Sequence, residues 1–354
     1  MALILPQVAA TTFLVSDSSL KLRQSLFIKT RNVNSFHKAV PSVFANFEPL
    51  NQQEFDCRRN VSPSCLENAG PAPKNLYTVN SPLTATIRNK IPISGDSPRK
   101  RQAYHIVLDH KGKLPLREGQ NVGVMLPAKT SVLPDNAKEP RYFPCASSRY
   151  GDTFDGTTIS LCVRPVPETI SEFLCNSKEG DEIQLVGPTG EKLILGDDDD
   201  KATHIFVATG AGVAPFRAHL RRFFREYIPK FTFNGFAWLF HGVYNVESLD
   251  AYYREFQKYQ VDYPKNFQYN IALSERISSN YWRKTYVQNI FEEHAESVFE
   301  KLVDEGAYIY FSGRKEMVTP IQNALMKVAE KKCKNWEKEL AKLKNNNQWR
   351  DEVY

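Results

Sequence analysis

The pattern of apolar and polar positions changes near residue 200 of the chain. Before that point, from about residue 76, short stretches alternate between apolar and polar side chains and are separated by turns rich in glycine and proline. This pattern predicts β-strands over residues 104–108, 121–125, 158–163 and 182–186. Several short strands at this spacing are typical of a small antiparallel barrel, which we predict for residues 76–200.

From residue 201 onward, strands alternate with helices. Residues 204–208 form an uninterrupted apolar run, as expected for a strand that is buried on both faces. The same rhythm predicts strands over 235–240, 267–274 and 307–311, and helices over 215–226, 249–257, 286–303, 317–331 and 336–343. Residues 201–354 are therefore predicted to form a doubly wound parallel sheet, a class that binds nucleotides at the carboxyl ends of its strands.

A glycine-containing loop, residues 210–215 (GAGVAP), connects the first strand of this second half to its helix. Glycines allow a pyrophosphate to approach the backbone, and the amino end of a helix offers free N–H groups and partial positive charge. Pro215 suits the first helical turn, where no N–H is needed. Two glycines alone fit a purely structural turn equally well, but the strand-to-helix context favours a nucleotide loop.

The first 46 residues are rich in serine and threonine and nearly free of acids. Their charged side chains are Lys21, Arg23, Lys29, Arg31 and Lys38, against Asp17. This composition predicts a plastid or mitochondrial transit peptide over residues 1–46, with a plain disordered tail as the alternative. Residues 47–75 contain four prolines and are predicted to form a flexible linker.

The composition of the whole chain excludes several classes of protein. With 354 residues, 42% hydrophobic and 24% charged, the chain has enough apolar material for two soluble domains. The net charge is only +6, and without the first 46 residues the basic excess is small and scattered, which argues against nucleic-acid binding. The apolar runs are too short to cross a bilayer. The six cysteines form no C-x-x-C pair, so we expect reduced thiols and no metal site.

Four longer sequence strings resemble those of a known family. Residues 146–152 (ASSRYGD), 208–217 (ATGAGVAPFR), 238–243 (WLFHGV) and 348–354 (QWRDEVY) closely resemble plant-type ferredoxin–NADP⁺ reductase. The resemblance runs from about Asn75 to the last residue and is nearer to the root form. It implies an FAD-binding antiparallel barrel, an NADP(H)-binding parallel-sheet domain, ferredoxin as the partner and a plastid location. FAD joins the two chemistries, because ferredoxin gives single electrons and NADP⁺ accepts a hydride.

The resemblance implies FAD contacts along the barrel. The family string Arg-x-Tyr-Ser corresponds to Arg141, Tyr142, Phe143 and Pro144. Arg141 would pair with the pyrophosphate, Phe143 replaces the stacking tyrosine, and Pro144 replaces a serine whose hydroxyl lies near the flavin N5. Ser171 would cap a helix and donate to a phosphate. Further cofactor contacts are implied for Cys162, Val163, Arg164, Thr169 and Ile170.

The same comparison implies an NADP(H) site in the second domain. The matching positions are Arg164, Ala211, Val243, Tyr244, Ser274, Glu275, Lys284, Tyr286, Gln288, Gly313 and Arg314. Ser274, Lys284 and Tyr286 suit a 2′-phosphate. Glu275 stands where the family has arginine and would repel that phosphate, with Arg276 next to it, so use of NADH is an alternative.

At the chemical centre the resemblance implies Ser312, Glu352 and Tyr354. Ser312 replaces the family's cysteine beside the nicotinamide, Glu352 is the carboxylate near the flavin, and Tyr354 would stack on the flavin until the nicotinamide displaces it. The changes at Pro144 and Ser312 leave a catalytically impaired, regulatory or structural flavin-binding paralogue as the alternative. Candidate lysines for docking acidic ferredoxin are Lys111, Lys113, Lys129 and Lys138. The sequence leaves peripheral membrane attachment open.

Overall fold

The computed structural model describes residues 71–94, 102–127, 139–196, 200–226, 231–275 and 285–354. All of them belong to one compact unit of the chain. The predicted transit peptide and most of the predicted linker lie outside the described residues. The end of that linker is held against the fold, because Gln120 Nε2 donates to Pro73 O at 2.8 Å and Asn75 N donates to Pro188 O at 2.9 Å.

The first half is a six-stranded antiparallel barrel with one short helix. Its elements are β1 Leu83–Pro92, β2 Tyr104–Asp109, β3 Asn121–Met125, β4 Arg141–Pro144, β5 Thr158–Val163, α1 Ile170–Asn176 and β6 Glu182–Thr189. The strand order is β4-β3-β6-β1-β2-β5. A bridge between Cys145 and Leu161, with Ala146 N donating to Ser160 O at 2.7 Å, joins the two outer strands and closes the sheet.

Alternation of side chains explains this barrel. In β1, Leu83, Ala85 and Ile87 are buried while Thr84 is exposed, so one face of the strand supplies the core. The four predicted strands are confirmed, and sequence analysis missed β1 and β4. β4 is only four residues long, which leaves too little sequence for a recognisable alternation.

The second half is a five-stranded parallel sheet in the order β11-β10-β7-β8-β9. Its elements are β7 Thr203–Thr209, α2 Ala214–Phe224, β8 Phe236–Val243, α3 Asp250–Asp262, β9 Phe267–Leu273, α4 Val287–Glu293, α5 Ala295–Val303, β10 Tyr308–Gly313, α6 Val318–Lys331, α7 Trp336–Asn345 and β11 Trp349–Val353. Two apolar clusters, one on each face of this sheet, bury α2 and α3 on one side and α4 to α7 on the other. The predicted doubly wound parallel sheet is therefore confirmed.

One prediction about this half is wrong, and one strand was missed. The helix predicted over residues 286–303 is two helices, which meet at His294. The apolar spacing continues across both helices, because Phe291, Ala295 and Val298 all face the same core, so the pattern did not show the break. Sequence analysis also missed β11. No helix among the described residues is both long and apolar enough to span a membrane.

Candidate active site between the barrel and the parallel sheet

The nucleotide loop predicted after β7 is a tight 3₁₀ turn, Gly210–Val213, that leads directly into α2. A Cβ on Gly212 would lie 2.5 Å from Ser312 O, so only glycine allows the turn to rest on β10. Gly210 has φ +53° and open space around its Cα. The half-buried Ala211 lies between them. The turn is thus pressed against the sheet on one side and open on the other, as a phosphate-binding loop requires.

His241, for which sequence analysis proposed no role, holds this turn in place. Its Nε2 lies 3.0 Å from Gly210 O and its Nδ1 lies 3.3 Å from the Tyr269 hydroxyl. Burial lowers the pKa of His241 to about 4, with Arg164 adding to the fall. The ring is therefore neutral at neutral pH, and because a carbonyl can only accept, Nε2 carries the proton.

The carboxyl ends of β8 and β9 bring four predicted nucleotide residues together. Ser274 N donates to Val243 O at 3.0 Å, and Glu275 N donates to Tyr244 O at 2.7 Å. The Glu275 carboxylate accepts a hydrogen bond of 2.7 Å from Asn245 Nδ2. This carboxylate is therefore held at the edge where a 2′-phosphate is predicted to bind.

The other predicted nucleotide residues of this region border the same edge. Tyr286 is 43% exposed just before α4, and Gln288 is half-buried in the first turn of that helix. α4 begins beside β8, because a Cβ on Gly242 would lie 3.0 Å from Val287 Cβ. Arg276 and Lys284 lie outside the described residues.

The three predicted catalytic residues lie on neighbouring strands. In the parallel pairing of β10 with β11, Ser312 is in register with Glu352 and Gly313 with Val353. Tyr354 N donates to Gly313 O at 2.9 Å, which extends the pairing to the end of the chain. Arg314 N donates to Thr209 Oγ1 at 2.8 Å and so joins this strand pair to the nucleotide loop.

The aromatic ring of Tyr354 is accessible, since the residue is 72% exposed. Its pKa is nevertheless raised, first by surrounding protein atoms and then by Cys162, whereas Arg164, Arg314 and Arg141 act to lower it. A ring in an open groove is desolvated by the walls of the groove without being covered. Three of these four neighbours belong to the barrel, so Tyr354 lies where the two halves meet.

On the barrel side, β4 carries the predicted FAD string. Arg141 and Tyr142 are exposed, and the Arg141 guanidinium lies 5.8 Å from the centre of the Phe143 ring. Phe143 itself is 8% exposed and packs in the barrel core. Pro144 pairs in register with Asn121 of β3. The exposed aromatic side chain of this strand is therefore Tyr142, and stacking by Phe143 stays a prediction.

The prediction that Ser171 caps α1 is wrong, because Thr169 is the N-cap residue and accepts from Ser171 N. Thr169 Oγ1 donates to Val166 O at 2.8 Å and lies 2.7 Å from Ser171 Oγ. The proton between the two hydroxyls must then come from Ser171. That hydroxyl, in a residue only 1% exposed, stabilises the turn instead of facing a phosphate.

The remaining predicted FAD contacts on the barrel are core residues. Cys162, Val163 and Ile170 are each at most 7% exposed. Burial raises the pKa of Cys162 to about 11, so this thiol stays protonated at neutral pH. Cys162 lies near Tyr354, whereas Val163 and Ile170 belong to the barrel core. The half-buried Arg164 follows directly after β5.

The donors and surfaces at this junction fit a flavin dinucleotide. Arg141 and Arg164 supply guanidinium groups for a pyrophosphate, and Tyr354 supplies an open aromatic face. Glu352 Oε2 is buried and accepts no hydrogen bond from the part of the chain that the structure describes. A buried acceptor without a donor is uncommon in native proteins, and beside the predicted position of the nicotinamide a ligand group would supply the missing donor. We call Arg141, Pro144, Ser312, Glu352 and Tyr354 the rim.

A second set of residues, which sequence analysis missed, joins the two halves beneath the rim. We call His105, Asp152, Arg217, Arg221 and Glu255 the seam cluster. Asp152 lies 2.6 Å from His105 Nε2, 3.4 Å from Arg217 and 3.3 Å from Arg221, and Arg217 Nε donates to Glu255 at 2.7 Å. Burial alone would raise the pKa of Asp152, but His105, Arg221 and Arg217 hold it well below its usual value.

A closed antiparallel barrel, a parallel nucleotide-binding sheet and a terminal aromatic residue between them define a two-domain flavin-dependent pyridine-nucleotide reductase. Comparison with known proteins supports the same class of reductase. Residues 206–323 match the family model of the oxidoreductase NAD-binding domain. The chain is 42% identical to the root-type chloroplastic ferredoxin–NADP reductase of Nicotiana tabacum over 99% of both chains. It is 44% identical to root isozyme 1 of Arabidopsis thaliana over 86% of this chain and 83% of that protein.

The chain belongs to the ferredoxin–NADP reductase family. Leaf isozyme 1 of Arabidopsis thaliana is less similar, at 34% identity over 79% of each chain, which confirms the nearer resemblance to the root form. Among solved structures, the ferredoxin–NADP⁺ reductase of Plasmodium falciparum with 2′P-AMP has a TM-score of 0.64 at 23% identity. The match covers 79% of this chain and 99% of that one, and it supports the fold.

Proposed function

We propose that this protein is a plastid FAD-dependent oxidoreductase that transfers electrons between ferredoxin and NADP(H). The observation that carries the proposal is the junction of β10 and β11, where Ser312, Glu352 and the open ring of Tyr354 meet beside the nucleotide loop. Root-type chloroplastic relatives at 42–45% identity support the same activity and the plastid location.

When bound, FAD supplies the chemistry that connects single electrons to hydride exchange. In the proposed mechanism Arg141 would bind its pyrophosphate, and Arg164 and the turn over residues 210–213 would bind the phosphates of NADP(H). The Tyr354 ring would cover the flavin and exclude water when no nicotinamide is bound. Ser312 and Glu352 would border the nicotinamide and orient it, which is how they would contribute to the rate.

Ferredoxin is the proposed partner, and a basic surface would steer this acidic protein to the rim. Lys111 lies in the turn after β2, Lys113 follows it closely, and both side chains are exposed. Lys129 and Lys138 lie outside the described residues. Peripheral association with a membrane would be decided by separating plastid membranes from stroma.

The proposal is tested on the full-length chain. Purified protein should bind FAD, turn yellow and reduce cytochrome c through ferredoxin with NADPH as the electron source. Glu352→Gln should lower this rate, whereas the matched Glu316→Gln, an exposed side chain after β10, should not. Colourless protein that cannot be reconstituted with FAD would contradict the proposal and favour the regulatory or structural alternative.

A further inference from the structure

One hydrogen bond at the rim connects the barrel directly to the chemical centre. Asn121, the first residue of β3, is 9% exposed, and its Nδ2 donates to Glu352 Oε1 on β11. The two residues are separated by 231 positions in the chain and belong to different sheets. The barrel therefore holds one oxygen of a carboxylate that the parallel sheet presents.

The surroundings of Asn121 are built to keep its carboxamide in this place. Asn121 lies between Pro144 of β4 and Thr189 of β6. A Cβ on Gly190, whose φ is +87°, would lie 2.9 Å from Asn121 Nδ2, so a side chain at that position would displace the amide. Pro144 has no hydroxyl and no N–H. Of the two paired residues Asn121 and Pro144, only Asn121 can therefore supply a side-chain hydrogen-bond donor.

The hydrogen bond from Asn121 makes the two oxygens of the Glu352 carboxylate unequal. Oε1 is held by Asn121, while Oε2 is buried without a hydrogen bond from any described residue. Fixing one oxygen stops the carboxylate from rotating, and the other oxygen then has a defined direction. Because Glu352 is in register with Ser312 on β10, this direction is set beside the predicted position of the nicotinamide.

We propose that Asn121 is the positioning residue for Glu352: its amide clamps Oε1 from the barrel so that Oε2 is presented to the bound reactants. The proposal rests on the proposed function, since it concerns the same site. It assigns to a carboxamide on β3 the donor role that Pro144 cannot perform.

The first experiment measures the bond itself, with no cofactor required. Melting temperatures of Asn121→Ala, Glu352→Ala and the double variant are compared in the full-length apoprotein. We expect the double variant to lose no more than the larger single loss, because both changes break one bond. The polarity-swapped pair Asn121→Asp with Glu352→Gln should restore much of the melting temperature lost by Asn121→Asp alone. Additive losses and no restoration would overturn the clamp.

The second experiment measures positioning, by stopped-flow hydride transfer from NADPH to the FAD-loaded protein. Asn121→Ala should slow transfer about 10- to 100-fold with KM for NADPH little changed, because misorientation near the reacting atoms acts on the rate. In Asn121→Asp two carboxyls face each other and one pKa rises. Transfer in this variant should therefore recover as the pH falls, since a protonated carboxyl can donate again.

Gln120→Ala is the matched control. The Gln120 side chain donates to Pro73 O and Gly190 O and accepts from Arg117 N, and its removal breaks these bonds without touching Glu352. It should lower the melting temperature without changing the pH profile of transfer. If Asn121→Asp follows the pH profile of the unmodified protein, or if Asn121→Ala transfers hydride at the unmodified rate, the positioning role is refuted. An unmodified protein that binds no FAD would refute the proposed function instead. The melting experiment would still show whether Asn121 and Glu352 are hydrogen-bonded.

Discussion

The seam cluster and the rim both join the barrel to the parallel sheet, but their polar groups differ in how fully they are paired. In the seam cluster, Asp152 contacts His105, Arg217 and Arg221, and Arg217, 1% exposed, also packs 4.7 Å over the Tyr252 ring. At the rim, Glu352 keeps a buried oxygen without a described donor, and Tyr354 is open. The comparison teaches that the ion pairs of Arg217 with Asp152 and Glu255 hold the two halves together, while the open groups of the rim lie where ligands are predicted to bind.

The largest effect is expected from breaking the seam cluster. Arg217→Ala would leave Asp152 and Glu255 buried with a main cationic partner gone, and removal of one partner from a buried ion pair costs about 3–5 kcal/mol. Urea unfolding at neutral pH measures this loss. Lys258→Ala on α3, the helix that carries Glu255, is the control, because its ion pair with Asp262 is solvent-exposed and contributes at most about 1 kcal/mol. Equal losses in the two variants would contradict the comparison.

Glu226, which lies beside the seam cluster, is a buried carboxyl whose hydrogen bonds are incomplete. Its Oε1 accepts from Ser148 Oγ at 2.7 Å, but its Oε2 is buried without a hydrogen bond from the described residues. Burial raises the pKa of Glu226 to about 7, with Glu118 and Asp152 adding to the rise against Arg221 and Ser148. The folded chain thus keeps a proton that the unfolded chain has already lost between about pH 4.5 and 7.

The unfolding free energy should therefore fall as the pH rises through this window, by an amount on the order of 3 kcal/mol, since one pKa unit corresponds to about 1.4 kcal/mol. Glu226→Gln should remove most of this slope and be the more stable form at pH 8, with little difference near pH 4.5. Urea unfolding at the two pH values measures it, with the exposed Glu300→Gln as control. A slope unchanged by Glu226→Gln would show that other groups cause it.

At the nucleotide edge, Glu275 tests whether an unfavourable charge is tolerated near the rim. A carboxylate facing a 2′-phosphate, which carries about 1.5 negative charges at neutral pH, costs about 1.5 kcal/mol at 4 Å in water. Glu275→Gln should thus raise the ratio of kcat/KM for NADPH over NADH about tenfold, through KM for NADPH. The exposed Glu293→Gln at the end of α4 should leave the ratio unchanged. A ratio unaffected by Glu275→Gln would place the 2′-phosphate elsewhere.

The smallest effect is expected from Pro144→Ser. Loss of an isolated transition-state donor costs about 10²–10³ in rate. Because Asn121 already supplies a donor on the paired strand, restoring a hydroxyl at position 144 should raise hydride transfer by less than about tenfold. Stopped-flow measurements provide the value. A gain of 100-fold or more would mean that Asn121 does not supply the missing donor.

Local sequence predicted the elements of this fold well where a pattern repeats within one element. β3 and β5 have the predicted bounds, and the turn after β7 was recognised from its glycines. β11 was missed because Arg350, Asp351 and Glu352 interrupt its apolar pattern, and its strand character comes from pairing with β10. Pairing of this kind is a tertiary effect that leaves no local signal.

The candidate site was predicted mostly by resemblance, which placed residues at the rim but not the contacts between them. The bond between Asn121 and Glu352 and the ion pairs of Asp152 with Arg217 and Arg221 join residues that are far apart in the chain. Asn121 and Asp152 each stood in a recognisable strand or string, yet nothing in their spacing indicated their partners. His241 could have been singled out as a polar side chain within an apolar strand, since such a residue needs hydrogen-bond partners.

The burial of Arg217 also decides how a nucleotide enters and leaves. A hinge motion that separated the barrel from the parallel sheet would pull Arg217 away from Asp152 and expose carboxylates that the resting fold keeps dry. Such an excursion would raise the free energy of opening by about 3–5 kcal/mol, whereas rotation of the exposed Tyr354 ring breaks none of these ion pairs. We therefore expect rotation of the Tyr354 ring at the end of the chain, and not separation of the two domains, to control access of the nucleotide to the flavin.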